Sequence, residues 1–181
     1  MGQQKLLLDL RGKPVLRWVL EAALGSELDE VICVVREPKE IQERIFLGHD
    51  KLRWVTNEKA KEGQSTSVIA GLRAINAKSD AALFLVGDQP LVKTDLINGL
   101  IGLFKKSRSL IVAPTFRGQT RNPVLFQKDL FPELLELTGD RGGRGLIEKY
   151  RGEVAALDWN EEMPFLDMDK WDDYEKLKRL C

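Results

Sequence analysis

Residues 81–90 read AALFLVGDQP, an unbroken apolar run closed by a glycine, an acid, an amide and a proline. Its apolar residues are consecutive rather than alternating, the signature of a strand covered on both faces. Pro90 then stops it, since proline cannot donate to a strand ladder. Outward from this stretch, further short apolar runs of strand character lie at residues 30–36 (EVICVVR), 53–56 (RWVT), 109–114 (SLIVAP), 123–127 (PVLFQ) and 153–157 (EVAAL). Segments of helical period alternate with them at 14–24, 38–47, 65–77, 94–107, 129–137 and 170–180. In the first, Val15, Leu16, Val19, Leu20, Ala23 and Leu24 form one stripe between Pro14 and Gly25. Such alternation predicts an α/β fold: a mostly parallel sheet flanked by helices, with the site beyond the carboxyl ends of the strands.

Composition narrows the class. The chain has 181 residues, with 28 basic and 28 acidic side chains and zero formal net charge. That length predicts a single domain, residues 1–181, with a core of its own. Balanced charge argues against a nucleic-acid partner. No run reaches the roughly 18 apolar residues of a membrane span, and the first residues lack the basic and apolar regions of a secretory signal. Cys33 and Cys181 form no CxxC and no disulfide framework. The expectation is a soluble, cytoplasmic protein. One feature departs from the α/β pattern: the chain opens with MGQQK and reaches the helix at Pro14 through Leu6–Leu10 alone, so an early buried strand is missing from the order. Neighbouring strands would then carry unpaired edges inside the molecule.

Candidate site residues follow from position. Asp88 stands at the end of the most apolar strand, where a carboxylate can hold a hard Mg²⁺ ion together with phosphate oxygens; a plain strand-end turn is the alternative. In Asp167-Met168-Asp169, extended backbone puts both carboxylates on one side, as a metal partner for Asp88. Equally, Asp169 can cap the following helix, with Asp172 and Asp173 complementing its dipole. Lys5, near Gly2, is either a phosphate-binding ammonium or a solvated surface group. Asn57 and residues 62–67 (EGQSTS) lead into a helix that the hydroxyls can cap, with or without a ligand. Residues 139–145 (GDRGGRG) either let backbone and Arg144 approach an anion or form a mobile loop, and 117–122 (RGQTRN) is a weaker case of the same kind. His49 has no triad or zinc partners in the sequence, and GxSxG, HExxH and GxxxxGK[ST] are all absent. Trp18, Trp54, Trp159 and Trp171 are scattered as packing residues.

Taken in order, these segments resemble the molybdenum cofactor nucleotidyltransferase (MobA-like) family, its cytidylyltransferase branch most and its guanylyltransferase branch next. Met1-Gly2-Gln3-Gln4-Lys5 matches the end of the signature LAAGxSxRMGxxK. Asn57 and Gly63-Gln64-Ser65-Thr66-Ser67 resemble the asparagine and GMSxS loop, and Gly87-Asp88-Gln89-Pro90 resembles GDQP, the cytidine version. Asn122-Pro123-Val124 resembles GxPV, residues 139–144 resemble GDxGAR, and Asp167-Met168-Asp169 with Asp173 resembles DIDTPED. The resemblance implies a Rossmann-like, three-layer sandwich of glycosyltransferase-A type. It implies transfer of CMP from CTP (or GMP from GTP) to molybdopterin, with pyrophosphate released and a molybdenum enzyme receiving the product. It assigns Mg²⁺ to Asp88 and Asp169 with Asp167 beside them, and the triphosphate to Lys5 with Gly2. Asn57, Gly63, Ser67 and Gln89 fall to the nucleotide side, Arg144 to the pterin. The LAAGxSxR part has no counterpart here. A late-placed start or a truncated paralogue explains this, and the 181-residue chain is expected to be weak or inactive. Two further readings stay open: a carrier that binds without transfer, and a sugar-nucleotide enzyme using Asp167-Met168-Asp169 as its metal motif.

Overall fold

The computed structural model describes residues 3–45, 47–140 and 142–180. A 3₁₀ helix over Gln3–Leu7 leads into a short hairpin, β1 (Asp9–Leu10) and β2 (Lys13–Pro14), followed by α1 (Val15–Leu24), β3 (Val31–Val35), α2 (Pro38–Ile45) and β4 (Leu52–Thr56). Then come α3 (Gln64–Ala74), β5 (Ala81–Phe84), α4 (Thr94–Ser107), β6 (Ile111–Phe116), β7 (Gln119–Thr120) and β8 (Val124–Gln127). The chain ends with α5 (Phe131–Leu135), α6 (Arg144–Lys149), β9 (Val154–Asp158) and α7 (Trp171–Leu180).

Strand directions follow from pairing and from one helix. β3 and β4 are parallel, β8 runs antiparallel to both β5 and β6, and β9 is parallel to β6. Before α3, the Asn57 N–H donates to the carbonyl of Val35 at the end of β3 (2.8 Å). After α3, the Asn76 N–H donates to Glu30 Oε1, just before β3 (2.6 Å). Helix α3 therefore returns the chain along β3, and β5 sets out in the same direction as β3. Among the longer strands β8 alone is reversed. A tight turn at Arg117 and Gly118, with φ of 51° and 74°, folds β7 back on β6, the positive-φ pair that favours hairpins.

Alternation of side chains makes the layers. Val31, Cys33 and Val35 of β3 are buried with α1, α2 and α4, whereas Val34 reaches Gly71 of α3. On β6, Ile111 and Ala113 pack with Leu72, Leu134 and Leu146 of α3, α5 and α6, and Val112 packs with Leu100 and Phe104 of α4. Helices α1, α2 and α4 thus cover one face and α3, α5 and α6 the other, a three-layer arrangement. Burial pushes the Cys33 thiol up to about 12, so it is a packing group. Cys181 lies outside the described residues.

The sheet is split. Among the described residues β3 pairs only with β4, and β5 only with β8, so two ladders face each other across a gap. A cleft of about 2250 Å³ opens there, with Val31 to Val34 on one wall and Ala81 to Val86 on the other. This corrects one expectation from the sequence. Residues 81–87, the most apolar run, do not form a fully covered central strand; β5 stops at Phe84 and is half-buried along its whole length, because one of its edges is open. The expectation of unpaired edges inside the molecule is met at that same place.

Candidate active site

The site gathers where β5 ends. Gly87 carries the chain past the 3₁₀ helix that bears Lys5. A Cβ at Gly87 would sit 3.2 Å from Leu16, tighter than ordinary contact, and 3.5 Å from Leu6, in ordinary contact, so glycine eases the approach of the strand end to α1. The Lys5 ammonium then donates to Asp88 Oδ2 at 2.8 Å and to Asp169 Oδ1 at 3.0 Å. Acids from mid-sequence and from near the C-terminus thus meet on one nitrogen.

Met168 aims the second acid. Its N–H donates to the Asp88 carbonyl (2.9 Å), and its side chain, fully buried, packs with Leu10, Val15 and Leu177. In extended backbone successive side chains oppose. With Met168 turned into the core, Asp167 and Asp169 turn away from it. Asp169 meets Lys5, while Asp167 Oδ1 accepts from Gln89 Nε2 at 2.9 Å. The capping expectation is corrected: Asp173 Oδ2 takes the N–H groups of Asp169 (3.1 Å) and Lys170 (2.8 Å) at the start of α7, and the Asp169 carboxylate faces Lys5 instead.

Electrostatics follow from the clustering. Burial is the largest influence on Lys5 and pulls its pKa down, but the hydrogen bonds and charges of Asp88 and Asp169 outweigh it and hold the ammonium above the ordinary lysine value. Asp167 is held above the usual carboxylate range, first by burial and then by the charges of Asp88 and Asp169, against the pull of Gln89 and Lys5. Among the described residues no three metal-type side chains cluster. The donor set is two acids that share one cation position, filled here by the ammonium. Oxygen donors of this kind suit a hard dication that takes its remaining ligands from phosphate or water, so Asp88 and Asp169 fit Mg²⁺.

A second group lies on the loop before α3. Asn57 is buried; its Nδ2 donates to Thr66 Oγ1 and Ser67 Oγ, both at 2.9 Å, and its Oδ1 accepts from the Lys59 N–H (3.0 Å). Gly63 has φ of 116°, and a Cβ there would fall 2.7 Å from Asp140 Oδ1 and 2.8 Å from the Gly139 carbonyl. The first N–H groups of α3 are met by that loop, Gln64 by Asp140 Oδ1 (3.2 Å) and Ser65 by the Gly139 carbonyl (3.1 Å). Asp140 therefore caps α3, a role the sequence reading missed; the acid beside a glycine that can approach closely was the available signal. Arg144 opens α6, largely exposed, and lies 3.8 Å from Glu148. Lys5, Ser67, Asp88, Gln89, Arg144 and Asp167 line one cleft, continuous with the gap between the ladders. Asn57 joins it through Ser67 and Asp169 through Lys5. Gly2, assigned from the sequence to the nucleotide, and Arg141 lie outside the described residues.

No helix among the described residues is long and apolar enough to cross a membrane. Residues 1–154 match the model of the MobA-like NTP transferase domain. The chain is 31% identical to the purine catabolism protein PucB of Bacillus subtilis over 187 residues, which is 99% of this chain and 90% of that protein. It is 23% identical to a probable molybdenum cofactor guanylyltransferase of Thermococcus sibiricus over 188 residues, 98% of this chain and 90% of that protein. Among solved structures, Rv0371c of Mycobacterium tuberculosis aligns with a TM-score of 0.85 and 25% identity, over 99% of this chain and 90% of that one. The same protein in complex with manganese aligns with a TM-score of 0.81 and 24% identity, over 98% and 93% of the two chains.

Proposed function

The chain belongs to the MobA-like NTP transferase domain family, and from that premise we propose that this nucleotidyltransferase moves CMP from CTP to the phosphate of molybdopterin and releases pyrophosphate. One observation carries the reading: the convergence of Lys5, Asp88 and Asp169 on a single cation position at the carboxyl end of β5. In-line displacement at the α-phosphorus needs no covalent side chain; it needs alignment and neutralisation of developing charge. Asp88 and Asp169 hold Mg²⁺, which when bound neutralises phosphate charge. Lys5, its two acids otherwise engaged, turns its ammonium to the triphosphate, whose negative charge takes over from Asp88 and Asp169 in favouring the protonated form. Gln89 holds Asp167 beside the pair. Asn57 and Ser67 form the nucleotide side with the Gly63 loop, and Arg144 is left exposed for the anionic acceptor. The choice of CTP rests on Gln89 in Gly87-Asp88-Gln89-Pro90.

A second reading, GTP as donor, is favoured by the similarity to the probable guanylyltransferase of Thermococcus sibiricus. The test mixes the protein with Mg²⁺, molybdopterin and either CTP or GTP and follows pyrophosphate. Release with CTP, at the low rate expected of this chain and lost when Mg²⁺ or molybdopterin is omitted, is the expected result. Release with GTP alone moves the assignment to guanylyl transfer. Nucleotide bound without pyrophosphate, for either donor, makes the protein a carrier and ends the transfer reading.

A further inference from the structure

We propose that Arg121 recognises the group that receives the nucleotide, its guanidinium binding the phosphate of the acceptor. The inference rests on the transferase reading and adds to it a residue from the strand beside β5. Phe84 of β5 pairs with Val124 of β8 in antiparallel register, so β5 leaves and β8 arrives at one rim of the sheet. Asp88 lies four residues beyond that pair and Arg121 three residues before it. The two therefore flank the same rim from neighbouring strands, and both line the cleft.

The backbone of Arg121 is fixed, and its side chain is left without a charge partner. The N–H donates to the Pro114 carbonyl of β6 (2.9 Å). Among the described residues its one side-chain hydrogen bond runs from Nη2 to Gln119 Oε1 (2.9 Å), an uncharged acceptor. Nε is buried with no partner at all. A guanidinium is always charged, and a charged donor kept from both water and protein acceptors is costly. A solvated surface arginine would not hold Nε that way. The side chain is thus parked where an anion from outside the chain improves its position. An oxyanion in the cleft draws the guanidinium round and takes Nε and Nη2 together, the fork that matches phosphate. Position 121 is the glycine of the GxPV pattern that residues 122–124 resemble, so this charge is not part of the pattern.

The side of the rim decides which anion it meets. Asn57 follows the end of β4 and bonds to the end of β3, across the gap from β5, and Ser67 is bonded to it. Arg121 lies on the other flank, with β5 between it and the gap. Phosphoryl transfer sets the attacking and leaving oxygens roughly in line. With the nucleotide over β3 and the cation position at β5, attack comes from over β8. Arg144 stands on that flank too, since Gly143 before it lies against Phe126 of β8. Arg144 has Glu148 at 3.8 Å, whereas Arg121 has no carboxylate partner among the described residues. Arg121 is therefore the stronger anion site of the two.

The test measures binding by the full chain with the nucleotide position saturated by Mg²⁺ and α,β-methylene CTP, so that no transfer occurs. Molybdopterin is titrated by its fluorescence and phenyl phosphate by its ³¹P signal, and each is compared with its form lacking the phosphate. Arg121→Gln should weaken both phosphate probes about 10–100-fold, the loss of a hydrogen bond between charged groups. It should leave the CTP analogue, and any binding of the phosphate-free forms, within about twofold, with the Tm within about 2 °C. Arg121→Lys, which keeps the charge and loses the fork, should fall between. Equal binding of the phosphate probes by the parent and Arg121→Gln would overturn the proposal, as would no binding of either probe by the parent. Equal weakening of the CTP analogue or of the phosphate-free forms would also overturn it, because the residue would then act on the fold. Molybdopterin held without help from Arg121 removes this inference and leaves the transferase reading. Phenyl phosphate held through Arg121, with molybdopterin refused, supports the anion site and removes molybdopterin as the acceptor.

Discussion

Replacing Met168 with alanine should both loosen the fold and misdirect an acid. The side chain is fully buried among Leu10, Val15 and Leu177, and truncating such a group costs about 2–5 kcal/mol through lost burial and the cavity left behind. In a chain of 181 residues each kcal/mol moves the midpoint by about 2–4 °C, so the Tm should fall by about 5–15 °C. The same anchor turns Asp167 and Asp169 outward, so the variant should also bind CTP and Mg²⁺ more weakly at temperatures where it is still folded. Met168→Leu keeps the volume and should cost less than about 1.5 kcal/mol, with nucleotide binding within about twofold of the parent. Circular dichroism melts and titration calorimetry at 15 °C read the two effects separately. If Met168→Ala melted within about 2 °C of the parent, the claim that burial of this side chain orders the acidic segment would be wrong. If it melted early yet bound metal and nucleotide normally, the claim that Met168 aims Asp169 would fail alone.

Asp88→Asn and Asp169→Asn should each lower pyrophosphate release about 10²–10³-fold, whereas Asp172→Asn, exposed in the first turn of α7, should leave it within about twofold; steady-state rates decide. Gly63→Ala forces a Cβ to 2.7 Å from Asp140 Oδ1 at a φ of 116° and should destabilise by about 1–3 kcal/mol, an effect a melting curve would reveal and an unchanged Tm would refute. Glu21 accepts from Lys13 (2.6 Å) and Arg17 (2.8 Å). Burial pushes its pKa up most strongly as a single influence, but the two cations overcome this and hold it below the ordinary value of 4.5. A depressed folded pKa means that the native state binds fewer protons, so this stability is present above about pH 4.5 and is lost as pH falls through the folded value. Glu21→Gln should therefore cost about 0.5–1 kcal/mol at pH 7. Urea melts of the two proteins should converge as pH falls through that folded value; a difference that stays constant as the pH is lowered would dismiss the ion pairs as its source.

Much of the fold was legible because burial on two faces writes itself into composition. The strands at 30–36, 53–56, 109–114, 123–127 and 153–157 are found within about two residues of those positions, and the stripe at 14–24 is the buried face of α1. The 3₁₀ helix at Gln3–Leu7 was not legible, being too short for a period. The run at 81–87 misled for a physical reason: apolar residues announce that a strand needs cover but not whether a neighbour supplies it. At the site, Asp88 and Asp169 stood out as acids at element ends. The alternative readings of Asp169, cap or Lys5 partner, needed Asp173 to be seen in the capping place.

By itself the sequence determined the alternation of strands and helices, which residues lie inside, and which polar groups stand at the ends of apolar runs, since all of these follow from local period and turn chemistry. Only the tertiary structure decided that β8 runs against its neighbours and that the sheet divides between β3 and β5. It also decided that Lys5 meets acids 83 and 164 positions away. Those contacts depend on how distant segments share one core: a buried Met168 and a glycine at 87 set the separation of groups that no local pattern connects.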